Sequence, residues 1–203
     1  MASASVISRI GVLGDLHAED EALVAALALF DRLGASPILS VGDIADGEGD
    51  IDRTCSILAA RGIECVRGNH ERWLLANQLR DLPSATLALS AESRAFLASL
   101  PVTREYETVA GRLLLCHGIG DNDMGRASDD HLQEIVREGR YAWVVNGHSH
   151  RHRAQRFGPV TVVNAGTLRR DHQPHVLVLD LSTRVATYYD VLRDFALAET
   201  FAL

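Results

Sequence analysis

The chain has 203 residues, 47% of them hydrophobic and 23% charged, which is enough apolar material for one α/β core and excludes a disordered tail. Its 20 Lys+Arg against 27 Asp+Glu give a formal net charge of -7, and only 5% of residues are aromatic, which argues against a nucleic-acid binder built on counterion release and base stacking. Cys55, Cys65 and Cys116 are far apart and form no CxxC pair, so they read as free thiols in a reducing cytoplasm. The N-terminal apolar run is too short and too interrupted for a signal peptide or membrane span. The expectation is a cytoplasmic protein of one domain over residues 1–203, with no membrane partner.

In chain order, Val6–Leu13, Pro37–Val41 and Ile63–Val66 are short apolar runs rich in β-branched residues. They alternate with the helical spacing of Glu21–Leu33 and Ile51–Arg61, which predicts βαβαβ with a parallel sheet. Helical signal continues through His70–Leu82 and Ala91–Leu100, and Pro101 marks a break. Strands are then predicted at Glu105–Val109, Leu113–Cys116, Ala142–Asn146, Val160–Asn164, Val176–Asp180 and Val185–Tyr189, with one helix near Asp130–Glu138. Ala110-Gly111-Arg112 and Ser182-Thr183-Arg184 read as hairpin turns. A parallel first half and a hairpin-rich second half predict two packed sheets with helices outside.

One event recurs along the chain: a short apolar strand ends, and Gly follows with Asp, Asn or His. It occurs at Gly14-Asp15-Leu16-His17, Gly42-Asp43, Gly68-Asn69-His70, Cys116-His117-Gly118 and Gly147-His148-Ser149-His150. Loops past the carboxyl ends of strands are where α/β sheets build sites, so the five segments can converge. Asp15 and His17 are two residues apart, as are His148 and His150; in an extended stretch each pair points the same way. Imidazole and carboxylate together suit Mn, Fe, Zn, Co or Ni better than calcium. One such segment alone is an ordinary turn. Five together indicate a metal site.

The series resembles the calcineurin-like metallophosphoesterase family, whose segments run Asp-x-His, Gly-Asp, Gly-Asn-His, His and Gly-His-x-His in that order. The compact length is similar to the small, capless bacterial and archaeal phosphodiesterases of that family. The resemblance implies an α/β fold, a four-layer αββα sandwich of two mixed sheets flanked by helices. It implies two divalent metal ions, manganese first, with iron, zinc, nickel or cobalt as alternatives. Asp15, His17 and His150 would hold one, Asn69, His117 and His148 the other, and Asp43 would bridge them. A hydroxide shared by the metals would attack the phosphorus of a phosphodiester or nucleotide-type small molecule. His70 would face the substrate as a catalytic group, with Asp46 as its partner, and Asn69, His70 and Arg67 would contact the substrate.

Two departures separate the chain from its relatives. The protein phosphatases carry Arg where this chain has Gly47, and many small relatives lack a histidine at the place of His70. The first counts against a protein serine/threonine phosphatase. That alternative, a dinucleoside-polyphosphate phosphatase and a catalytically silent scaffold of the same fold are the competing readings. Arg67, Arg72, Arg151, Arg153, Arg169 and Arg170 lie near the ligand segments and could hold a second phosphate or stand as solvated surface. His131, His152, His172 and His175 are read as surface or core residues. A homo-oligomer is left open.

Overall fold

The computed structural model describes residues 6–76, 88–126 and 130–203. Its first half is the expected βαβαβ: β1 (Arg9–Leu13), α1 (Asp20–Leu33), β2 (Ile38–Ser40), α2 (Ile51–Ala60) and β3 (Glu64–Cys65). The helix α3 (Asn69–Ala76) follows, then α4 (Ala91–Ser99). The part of the expected His70–Leu82 helix beyond Ala76 lies outside the described residues. Helix ends are set by local chemistry. Asp50 caps α2 by accepting the Arg53 N–H, Ser90 caps α4 by accepting that of Ser93, and Gly34 closes α1 in the left-handed conformation at φ 62.

The second half contains β4 (Thr103–Thr108), β5 (Gly111–Cys116), α5 (Asp130–Glu138), β6 (Trp143–Asn146), β7 (His152–Phe157), β8 (Val160–Ala165), β9 (His175–Asp180), β10 (Val185–Asp190) and β11 (Ala196–Ala202). One sheet has six strands in the order β11-β10-β9-β1-β2-β3, and the other has five in the order β4-β5-β6-β8-β7. Each is mixed. β1, β2 and β3 run parallel while β9 joins β1 antiparallel; β5, β6 and β8 run parallel between antiparallel edges β4 and β7. The second half therefore holds a parallel trio of its own, which its hairpin signals had hidden.

The layers follow from strand alternation. Ile10 and Val12 of β1 face the interior between the sheets, with Leu113 and Leu115 of β5, Trp143, Leu177 and Tyr188. Leu13 faces the other way, onto Leu23 and Phe30 of α1 and Leu58 of α2. Leu114 and Cys116 face out onto Leu132 and Ile135 of α5. The result is helices, sheet, sheet, helix.

Two strands, β7 and β11, escaped the sequence reading. β7 is His-Arg-Ala-Gln-Arg-Phe, an edge strand with little apolar content, and β11 is mostly exposed at the edge of its sheet. Among the described residues, no helix is long and apolar enough to cross a membrane. Trp143 is wholly buried between the sheets, and its indole N–H donates to Ala110 O at 3.2 Å. Trp143→Ala should destabilise the fold by about 3–5 kcal/mol, read as a lower denaturant midpoint.

Candidate metal centre

All five ligand-type segments arrive at one place, at the carboxyl ends of β1, β2, β3, β5 and β6. Asp15, His17, Asp43 and His150 offer ligand atoms within 4.8 Å of one another, and so do Asp43, His117 and His148. Asp43 belongs to both groups. The side chains converge for a reason other than the alternation expected from extended backbone. His17, Asp43, His148 and His150 all have left-handed backbone, with φ of 46, 46, 66 and 56. Each such residue costs about 1–3 kcal/mol and persists only where its surroundings hold it. Tight left-handed turns, not strand pleating, turn these side chains inward.

The two carboxylates are built alike. Asp15 Oδ1 accepts the His148 N–H at 3.1 Å, and Asp43 Oδ1 accepts the His70 N–H at 2.9 Å. The second oxygen of each is left facing the cluster. Asp15 Oδ2 is 3.1 Å from His150 Nε2, yet it is buried with no hydrogen-bond partner. His17 Nε2 lies 3.1 Å from His150 Nε2. On the other side, Asp43 Oδ2 is 3.2 Å from His117 Nε2, and Asn69 Oδ1 lies 3.0 Å from that nitrogen and 2.9 Å from His148 Nδ1. Oxygen and nitrogen lone pairs packed against one another, with an orphaned carboxylate oxygen among them, fit the donor set of a pair of divalent cations.

Outer contacts fix which nitrogen faces in, as the hydrogen-bond network assigns it. His17 Nδ1–H donates to the carbonyls of Ala45 and Asp46, at 3.2 and 3.1 Å, and His117 Nδ1–H donates to Val41 O at 2.8 Å. Electrostatics divide the imidazoles. Burial outweighs the nearby carboxylates at His17 and lowers its pKa to about 3, so the ring stays neutral with a lone pair free. At His117 burial is overcome by the Asp43 charge, which pushes the pKa up to about 10. Asp43 itself, although burial opposes ionisation, is held well below the usual carboxylate range by His117. Asp43 and His117 thus favour a buried ion pair with each other.

His70 stands at the cluster's edge. Its ring lies edge-on to His17 at 4.7 Å between centroids, its Nδ1–H donates to Asp46 Oδ2 at 2.7 Å, and its Nε2 is 3.7 Å from Asp43 Oδ2. Arg67 lies half-buried between β3 and α3, and among the described residues no hydrogen bond or ion pair joins its guanidinium to the cluster. Arg72, Arg169 and Arg170 are engaged with carboxylates: Arg72 with Asp123, Arg169 with Asp171, and Arg170 with Glu19.

Residues 9–184 match the model of the calcineurin-like phosphoesterase superfamily domain. The chain belongs to the calcineurin-like phosphoesterase superfamily. No curated protein sequence matches it. Among solved structures it is similar to a hypothetical protein from Pyrococcus horikoshii OT3, at 17% identity and TM-score 0.72 over 90% of this chain and 87% of that one. It is also similar to Yfce, a phosphoesterase from E. coli, at 18% identity and TM-score 0.63 over 96% and 98%. Vacuolar Protein Sorting 29 from Cryptosporidium parvum shares the fold at 18% identity and TM-score 0.61 over 98% and 100%.

Within this superfamily member, three residues have structural roles that the sequence did not reveal. Glu71 is fully buried, and its carboxylate accepts the N–H groups of Ile44 and Ala45 at 2.7 and 2.9 Å and of Gly68 at 2.8 Å. It thereby ties the Asp43 loop to the Asn69 loop. Burial and the Asp43 charge both raise its pKa. His172, read from sequence as a surface or core residue, meets the centre: His150 Nδ1–H donates to His172 Nε2 at 3.3 Å, and His172 Nδ1–H donates to Asp171 Oδ1 at 2.8 Å. Only spatial proximity across 22 residues reveals that chain. Gly47 also acquires a reason, since a Cβ there would collide with the His17 carbonyl oxygen.

Glu71→Ala should leave three buried N–H groups without an acceptor and destabilise the fold by roughly 3 kcal/mol or more. The same variant should bind divalent cations at least about tenfold more weakly, because the loops bearing Asp43 and Asn69 are no longer held together. Chemical denaturation and metal titration check the two effects. Gly47→Ala should weaken metal binding by displacing His17, measured by the same titration.

Proposed function

We propose that this chain is a dinuclear-metal phosphoesterase hydrolysing a small phosphate ester, a phosphodiester or nucleotide-type molecule. The observation that carries the reading is the Asp43 carboxylate, within ligand reach of both the Asp15–His17–His150 group and the His117–His148 group. Asp15, His17 and His150 would hold one cation and Asn69, His117 and His148 the other, with Asp43 contributing to both. When bound, the two cations activate water as the nucleophile and neutralise the phosphoryl oxygens. Manganese is the proposed metal, since nitrogen and carboxylate donors of this kind accept it readily.

The chain's own residues do the rest. Asp46 accepts from His70 Nδ1–H, which leaves Nε2 directed at the cluster. His70 Nε2 gives a proton to the leaving oxygen as the phosphorus–oxygen bond breaks, and Asp46 stabilises the imidazolium that does so. Asn69, whose Oδ1 lies between His117 Nε2 and His148 Nδ1, would also meet the phosphoryl group with its amide. Gly47 offers no side chain to grip a phosphoprotein, which sets the protein serine/threonine phosphatase reading behind. The scaffold reading is disfavoured by the complete ligand set and the His70–Asp46 pair.

The buried cysteines agree with a reducing cytoplasm as the working compartment. All three are free, and burial pushes each thiol up to about 12.

Chelator-stripped protein should hydrolyse neither bis-p-nitrophenyl phosphate nor p-nitrophenyl phosphate, and manganese should restore turnover. Absence of turnover with manganese, nickel, zinc and magnesium alike, with two ions bound, would contradict the hydrolase reading. His70→Ala should keep the metals and lower kcat roughly a hundredfold for an ester with a poor alkoxide leaving group, with a smaller loss for p-nitrophenolate. Equal losses for the two leaving groups would remove His70 from the proton-donating role.

A further inference from the structure

The ligand loop carrying His148 also borders a second feature. A pocket of about 410 Å3 is lined by His148 and Ser149 together with Asn146, Arg126, Arg151 and Arg153. That volume lies within the range of small-molecule sites. Among the described residues the pocket is lined by three arginines and no carboxylate, in a chain whose net charge is -7. Arg72, Arg169 and Arg170, also near the centre, pair with acidic partners, whereas among the described residues no ion pair engages Arg151 or Arg153.

Its walls are fixed and incomplete. Arg153 sits on β7 opposite Asn164 of β8, and its guanidinium carbon lies 5.4 Å from the Phe157 ring centroid. Asn164 Nδ2–H donates to Gly147 O at 2.6 Å, which locks this sheet edge to the loop bearing His148. Buried polar atoms almost always find a partner. Here, among the described residues, the donor Arg153 Nε of this pocket does not, while Asn146 Oδ1, also unpartnered, is an acceptor and offers an anion nothing. A rigid, cationic, polar recess that shares a residue with the metal centre is a place for an anion. Guanidinium groups meet phosphate oxygens in paired hydrogen bonds.

We propose that this pocket receives a second phosphate of the substrate, next to the one held at the metal centre. The substrate class is then a nucleoside polyphosphate or a similar ester with adjacent phosphates, rather than an ester with one phosphate. This rests on the phosphoesterase reading for the first phosphate. Arg151 and Arg153 are the specificity-determining residues.

The test is calorimetric titration of adenosine diphosphate and adenosine monophosphate into manganese-loaded protein, with metal content measured afterwards. The two probes differ by one phosphate. The diphosphate should bind roughly tenfold tighter or more, the effect of one or two charge-assisted hydrogen bonds. The paired substitution Arg151→Gln and Arg153→Gln should bring the two affinities within about threefold, and Arg153→Lys should keep part of the difference. Equal affinities in the parent protein would overturn the proposal, as would a difference that survives the paired substitution. Bis-p-nitrophenyl phosphate turnover separates the two readings. Metal-dependent turnover with equal affinities would sink the pocket's role alone. No turnover, with an affinity difference that the paired substitution removes, would sink the hydrolase reading and keep the pocket as an anion site.

Discussion

Two carboxylates without water dominate this molecule. Asp15 is 0% and Asp43 1% exposed, and an ionised carboxylate removed from water costs several kcal/mol unless opposite charge and hydrogen bonds compensate it. Each gets one backbone N–H from a neighbouring ligand loop. That satisfies one oxygen and leaves the other among imidazole nitrogens. Without a cation, the proton on His117 serves Asp43, but Asp15 Oδ2 remains without a hydrogen bond. The arrangement is expensive as a bare protein site and reasonable as a cation site. Much of the surrounding structure keeps it so.

That support is distributed. Carbonyls of Val41, Ala45 and Asp46 set the ring orientation of His117 and His17, so loops after β2 orient ligands from β5 and β1. Glu71, on α3, gathers the N–H groups of the β2 and β3 loops. Thr167 reaches across to accept nothing from the cluster but donates its hydroxyl to Asp15 O, fixing the β1 loop from the β8 side. Ligands from both sheets therefore share their outer contacts, and the facing of the two sheets is part of the site. Backbone strain at His17, Asp43, His148 and His150 is tolerable because these bonds over-determine it.

How much of this could be read from the sequence depends on the range of the signal. The β1, β2, β3, β5 and β6 runs and the Gly-plus-ligand segments after them are local patterns, and they pointed to Asp15, His17, Asp43, Asn69, His117, His148 and His150, which the structure brings together. The spacing of Asp43 and Asp46 likewise placed the Asp46 partner of His70, now seen at 2.7 Å. The failures are of two kinds. β7 and β11 are edge strands whose polar or exposed residues lack the periodicity that burial imposes on β8 and β9. The roles of Glu71 and the Asp171–His172 pair depend on which segments meet in space, and the relevant partners lie 22 to 27 residues away. The extended geometry expected for Asp15-x-His17 and His148-x-His150 was the wrong cause for a correct convergence.

The central claim is that Asp43 joins two cation sites. The direct measurement is the number of manganese ions bound per chain at saturation, by titration and elemental analysis, in the parent protein and in the His150→Ala and His117→Ala variants. The account gives two ions in the parent and one in each variant, because each substitution breaks one group of ligands and leaves the other with Asp43. A parent that binds a single ion, or two variants that each retain two, would contradict it.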